Sequence, residues 1–140
     1  RRDHPVFRRR RWFTGRSIRG AEIGDVGWLR PDGEPMSDED WDAGFARSLG
    51  MALNGEAIPW PGPRGEPVVD DTFVVVFNAH HEDLDWVAPG APWGEAWETV
   101  VDTARPELDP TTGDDEDDAV KAGDAFTVTA RSVQVLRRTR

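Results

Sequence analysis

Asp71 to Pro89, DTFVVVFNAHHEDLDWVAP, holds the pattern that decides the fold. Thr72 to Phe77 is apolar on both faces and β-branched or aromatic throughout, which suits a central strand covered on both sides. Asn78 to Asp83 is polar and reads as a tight turn. Leu84, Trp86 and Ala88 then alternate with Asp83 and Asp85, the period of two expected of a strand with one wet face. The stretch predicts a β-hairpin, and with it an antiparallel β domain.

The flanking sequence agrees. Val26 to Pro35 reads as a strand, Gly27-Trp28-Leu29-Arg30, followed by a Pro31-Asp32-Gly33 turn. Ser37 with Asp40 three residues on has the form of a capping box, so a short helix is expected there with Trp41 as its inward anchor. Phe45 to Leu53 is assigned to strand, with helix as the competing reading, and ends at an Asn54-Gly55 turn. Ala57 to Pro67 is rich in Pro and Gly, a loop pinned by Trp60. Trp97, Thr99 and Val101 alternate with Glu98 and Asp102. Phe126 with Val128, and Val133 with Val135, supply a closing pair of strands. Pro106 to Asp118 contains DDEDD and is expected to be a solvated excursion.

The chain has 140 residues, enough for one ordinary domain with one core. Its net charge of −10 is unevenly spread. Residues 1 to 30 hold nine Arg against Asp3, Glu22 and Asp25, a balance of +6, and the remainder carries −16. Such a split argues for two pieces of structure. It argues against a nucleic-acid partner, because most of the surface would repel phosphate. The absence of cysteine excludes disulfides, thiolate metal sites and a catalytic thiol, and fits a reducing cytoplasm. No apolar run approaches the length of a membrane span and no signal peptide is visible. The start at Arg1 without Met suggests a fragment. Arg1 to Asp3 reads as the tail of a helix ended by His4-Pro5. Arg8 to Arg11, flanked by Phe7, Trp12 and Phe13, reads as an amphipathic connector with its aromatic rings inward and its Arg stems along the rim.

Three constellations bear on chemistry. His80-His81-Glu82-Asp83 joins imidazole to carboxylate, the ingredients of a metal or acid–base site, but strand neighbours point to opposite faces and His4 is remote, so a solvated turn is the expectation. Among 27 acids some pairs lie close by chance, so paired carboxylates carry no specific signal; Asp70-Asp71 is assigned to backbone capping at a strand entrance. Seven Trp and no Tyr raise the possibility of stacking on sugar rings. Trp28, Trp41, Trp86 and Trp97 occupy periodic or anchoring positions and are assigned to the core. Trp60 and Trp93, in loops between Pro and Gly, are the candidate glycan contacts, with packing against their own loops as the competing role.

In order, HPVFRRRRWFTGR, VGWLRPDGEPMSDEDW, ARSLGMALNGEAI, DDTFVVVFNAHHEDLDWVAP and the terminal ARSVQVLRR resemble the C-terminal end of bacterial glycogen debranching enzymes, the isoamylase-type members of the α-amylase superfamily. The resemblance covers essentially the whole chain. It implies a mainly β fold, an antiparallel β-sandwich over residues 26–140, preceded by residues 1–25 as the end of a (β/α)₈ catalytic barrel and its connector. It also implies a parent enzyme that hydrolyses α-1,6 branch linkages in glycogen or limit dextrins with an Asp nucleophile, a Glu acid–base and a second Asp. No residue here matches those catalytic motifs, so no catalytic, cofactor or metal residue is carried over. The implied partners are the chain's own upstream barrel and, through it, an α-glucan. Two other readings stand beside this one: an autonomous glycan-binding sandwich module using Trp60 and Trp93, and a purely structural interaction domain.

Overall fold

The computed structural model describes residues 2–16, 23–43, 47–105 and 119–140. The expectations for Arg1, Phe45 and the excursion from 106 to 118 lie outside those residues. After a 3₁₀ turn at Pro5–Phe7, eight strands follow among the described residues: β1 (Val26–Leu29), β2 (Ser48–Leu53), β3 (Phe73–Asn78), β4 (Leu84–Val87), β5 (Ala96–Asp102), β6 (Ala119–Lys121), β7 (Ala125–Val128) and β8 (Ser132–Arg138). Among the described residues the one α-helix, α1 (Asp38–Trp41), lies between β1 and β2. Six strands form one sheet in the order β1-β2-β3-β8-β5-β6, and β4 pairs with β7 in a second sheet. Each pairing is antiparallel. The expected mainly β, antiparallel fold is therefore the observed one.

The expected hairpin is not. β3 pairs with β2 and β8, whereas β4 crosses to the second sheet and pairs with β7. The crossing is held by Asn78, buried at the end of β3. Its amide nitrogen donates to the carbonyls of Glu82, Val128 and Thr129, and its amide oxygen accepts from the His80 N–H. A strand that turns out of its sheet leaves backbone groups without ladder partners, and a carboxamide can both donate and accept to satisfy them. Because β4 lies over the large sheet, Trp86 is driven inward to 1 % exposure while Asp85 stays wet.

Residues directly opposite one another in a sheet share a face. Gly27, Ala52, Val74, Leu136 and Thr99 form one such row across β1, β2, β3, β8 and β5, and Leu29, Gly50, Val76, Gln134 and Asp102 form the next. These rows look toward the small sheet. Leu29, Ala52, Val74, Val76, Leu136, Trp86, Trp93, Trp97 and Val128 make one buried cluster between the layers. Small residues in the rows admit the indoles of the opposite layer. A side chain at Gly50 would meet Trp86, 2.8 Å from its ring, and one at Gly27 would overlap Trp93.

The parity of β5 also departs from the sequence reading. The register slips between Thr99 and Val101, so Val100 is an extra residue and Val101 leaves the side of Trp97 for the opposite face. Val101 is 44 % exposed where simple alternation would bury it. β6 carries no clear sequence signal, since three residues edging a sheet need little apolar character. The Ser37–Asp40 capping box forms in both directions, but its helix does not bury Trp41. That ring lies edge-on against Trp28 at 5.5 Å, and both are exposed, so two of the four tryptophans assigned to the core lie outside it.

Candidate functional site

The outward face of the large sheet is the part of the molecule with the most unusual surface. Trp28, Met51, Val75, Val135 and Val101 form one row across five strands, and Leu49, Phe77 and Val133 form a second across three. Phe77, Trp28 and Val101 are all exposed on it, Phe77 by 40 % and Trp28 by 38 %. A sheet face of this composition is ordinarily buried against another layer.

One end of the face is covered, by the N-terminal segment. Val6, Phe7 and Phe13 pack with Leu53, Phe73, Ile58 and Trp60 into a second apolar cluster. Phe7 and His4 both contact the Phe73 ring, at 4.9 and 4.8 Å between centroids. Between this segment and the sheet runs a groove of about 380 Å³, lined by Phe7, Arg10, Trp12, Phe13, Met51 and Leu53.

Two carboxylates fasten the segment. Asp25, fully buried just before β1, accepts from Arg9 Nη2 at 2.7 Å, from the Thr14 N–H and from the Gly15 N–H at 2.8 Å. Asp70 accepts from the Val6 N–H at 2.9 Å and the Asp71 N–H at 2.8 Å, and its oxygen lies 2.8 Å from His4 Nδ1. The capping role expected of Asp70 is thus only part of its work: it also joins β3 to a segment 64 residues earlier. Arg9 lies over the rings of Phe13 at 4.1 Å and Trp60 at 5.4 Å. Burial pulls the Arg9 guanidinium below its ordinary pKa, while the charge of Asp25 and its hydrogen bond act in the opposite direction. The connector is therefore amphipathic in a different sense from the one expected. Phe7, Phe13 and Arg9 face the sandwich, whereas Trp12 is 93 % exposed beside the exposed Arg8, Arg10 and Arg11. The helical tail expected over Arg1 to Asp3 is not formed at the described Arg2 and Asp3, which are irregular chain.

Of the two candidate glycan contacts, Trp60 is half-buried against the second cluster, and Trp93 belongs to the first with 8 % exposure. They sit in different clusters, so the structure does not bring them together. His80, His81 and Glu82 do converge, because they occupy a turn and not a strand: the two imidazole centroids are 4.3 Å apart. Sequence reasoning missed the outward face as a site. The signal was present in Phe77 and in the odd-numbered valines of β8, which alternate with the buried Gln134 and Leu136.

Among the described residues no helix is long and apolar enough to cross a membrane. The family described as isoamylase, C-terminal, matches residues 25–137. The glycogen operon protein GlgX homolog of Mycobacterium tuberculosis strain H37Rv is 47 % identical over 140 residues, covering 99 % of this chain and 19 % of that protein. The protein of the same description from Mycobacterium bovis matches equally. The chain thus spans about a fifth of the length of the curated relatives it matches. A two-layer antiparallel β fold matched by this family over most of its length belongs to the isoamylase C-terminal domain family.

Proposed function

We propose that this chain is the non-catalytic C-terminal segment of a cytoplasmic glycogen debranching enzyme, one that hydrolyses α-1,6-glucosidic branch linkages in glycogen or limit dextrins. In this reading residues 1–25 lead out of a (β/α)₈ catalytic barrel, and the sandwich of residues 26–140 stabilises that barrel. The observation that carries it is the outward face. Its apolar rows are open at Trp28, Phe77 and Val101, and the segment that would arrive from the barrel is pinned to the same face by Asp25 and Asp70. A covalently attached neighbour entering at that edge is placed to cover the rows. The mycobacterial relatives named as glycogen operon proteins, about five times longer, support a parent of this kind.

The test is Phe77→Asp combined with Val101→Asp, in the isolated chain and in the full-length enzyme. Both side chains are already partly wet, so the isolated chain should melt within a few degrees of the unaltered one. The full-length enzyme should lose thermal stability and branch-point hydrolysis together. Equal behaviour of altered and unaltered full-length enzyme would remove the docking role. A glycan-binding module is the second reading, resting on Trp60, which is only partly buried. Retardation of the chain in a glycogen-containing gel, lost in Trp60→Ala, would favour it.

A further inference from the structure

We infer that His80, His81 and Glu82 form a binding site for a divalent transition-metal ion such as Zn²⁺. Each of the three offers one ligand atom, and those atoms lie within 4.8 Å of one another. His80 Nε2 is 3.3 Å from Glu82 Oε2, and His81 Nε2 is 3.9 Å from Glu82 Oε1. Both imidazoles therefore present Nε2 to the two oxygens of one carboxylate. Drawing three donors to within about 2.0–2.2 Å of a shared ion from these separations needs only side-chain rotation. Two imidazoles with one carboxylate select zinc, nickel or copper over magnesium and calcium, which favour all-oxygen sets.

The backbone beneath the site is rigid, which lowers the entropic cost of collecting the ligands. Asn78 holds the His80 N–H and the Glu82 carbonyl from below. The His80 carbonyl accepts from the Arg131 N–H at 3.0 Å, and the neighbouring Ala79 N–H donates to the Arg47 carbonyl at 2.9 Å. His81 and Glu82 project into solvent with side chains 61 % and 70 % exposed, so an ion can reach them. The second cluster of this kind among the described residues, His4 with Asp70 and Asp71, differs in that Asp70 already accepts from His4 and the Val6 N–H of the connector and from the Asp71 N–H.

One group opposes the ion, and it makes the inference sharper. Arg47 Nη1 lies 3.0 Å from His80 Nδ1. Arginine can only donate, so Nδ1 accepts and the ring proton sits on Nε2, directed at Glu82. Coordination through Nε2 moves that proton to Nδ1, and the exposed Arg47 side chain must then turn away. Metal binding should accordingly compete with Arg47.

The experiment is calorimetric titration of Zn²⁺ into the chelator-stripped 140-residue chain, with thermal melting as a second readout and far-UV circular dichroism to verify that each variant is folded. One saturable Zn²⁺ per chain is expected, with a rise in melting temperature. His81→Ala and Glu82→Gln, on exposed side chains, should each weaken binding tenfold or more and abolish that rise. Arg47→Gln should tighten binding several-fold. Absence of saturable binding in the micromolar range, or equal affinity in the unaltered chain and His81→Ala, would overturn the assignment. The result is independent of whether the outward face docks a barrel.

Discussion

Removing the Asp25 carboxylate should loosen the N-terminal segment from the sandwich and destabilise the whole chain. Asp25 is fully buried, and its partner Arg9 has a side chain only 7 % exposed. In Asp25→Ala the guanidinium loses its counter-charge, and the N–H groups of Thr14 and Gly15 lose their acceptor. Arg9 Nε is already buried without a partner, and the Ala57 carbonyl, 3.3 Å from Nη1, carries no charge to replace the one lost. Breaking a buried pair from one side costs about 3–5 kcal/mol, because the surviving charge stays desolvated. For a domain of this size that is a fall in melting temperature of roughly 10–17 °C. Urea denaturation of the isolated chain, followed by tryptophan fluorescence, measures it. The partners in a cycle are Arg9→Met and the double variant Asp25→Ala/Arg9→Met. Arg9→Met alone strands the Asp25 carboxylate and should cost a similar amount, whereas the double variant removes both charges and should lose far less than the sum of the two single losses. Asp25→Ala within about 1 kcal/mol of the unaltered chain would refute the reasoning, since a buried guanidinium cannot lose its paired carboxylate so cheaply.

Other expectations are narrower. Gly50→Ala should cost about 1–3 kcal/mol, because its new methyl group meets Trp86 and Leu29 in a filled interior; chemical denaturation reads it, and a neutral result would mean the layers are less tightly packed than the contacts show. Asn78→Ala should cost about 1–3 kcal/mol or more by stripping buried carbonyls of their donor, and Asn78→Asp should fail to rescue it, since a carboxylate accepts but cannot donate. The hydrogen bonds that Asp40 accepts from the Ser37 backbone and side chain hold its carboxyl below its ordinary pKa of 3.8, with Arg30 adding a smaller charge effect. A depressed carboxylate stabilises fully above the unfolded value and loses that contribution as pH falls through the folded one. Denaturation of the chain between pH 5 and pH 2 should therefore be less pH-dependent in Asp40→Asn, and identical slopes would show that the cap contributes nothing to the fold.

Much of the architecture was legible from local pattern. Thr72 to Phe77, the Gly27–Arg30 run with its turn, and the Ser37–Asp40 box each specify an element through alternation, turn chemistry or reciprocal capping, which neighbours in the chain decide. Trp86 and Trp97 were legible as core for the same reason. What misled was the inference from neighbouring elements to their partners. The polar turn after β3 looks like a hairpin, yet Asn78 satisfies the backbone there well enough for β4 to leave the sheet. The bulge at Val100 inverts the face of Val101, and no pattern of residues announces an inserted register.

The amino-acid order by itself determined that the chain is an antiparallel β domain without cysteine chemistry, because strand period and composition are properties of a few consecutive residues. Tertiary structure alone decided which faces are wet. It buried Trp93 while exposing Trp12 and Trp41, turned Arg9 inward to Asp25, and gathered His80, His81 and Glu82 onto one side of a turn. The Arg9–Asp25 and His4–Asp70 contacts join residues 16 and 66 apart, and local pattern carries no information at that range.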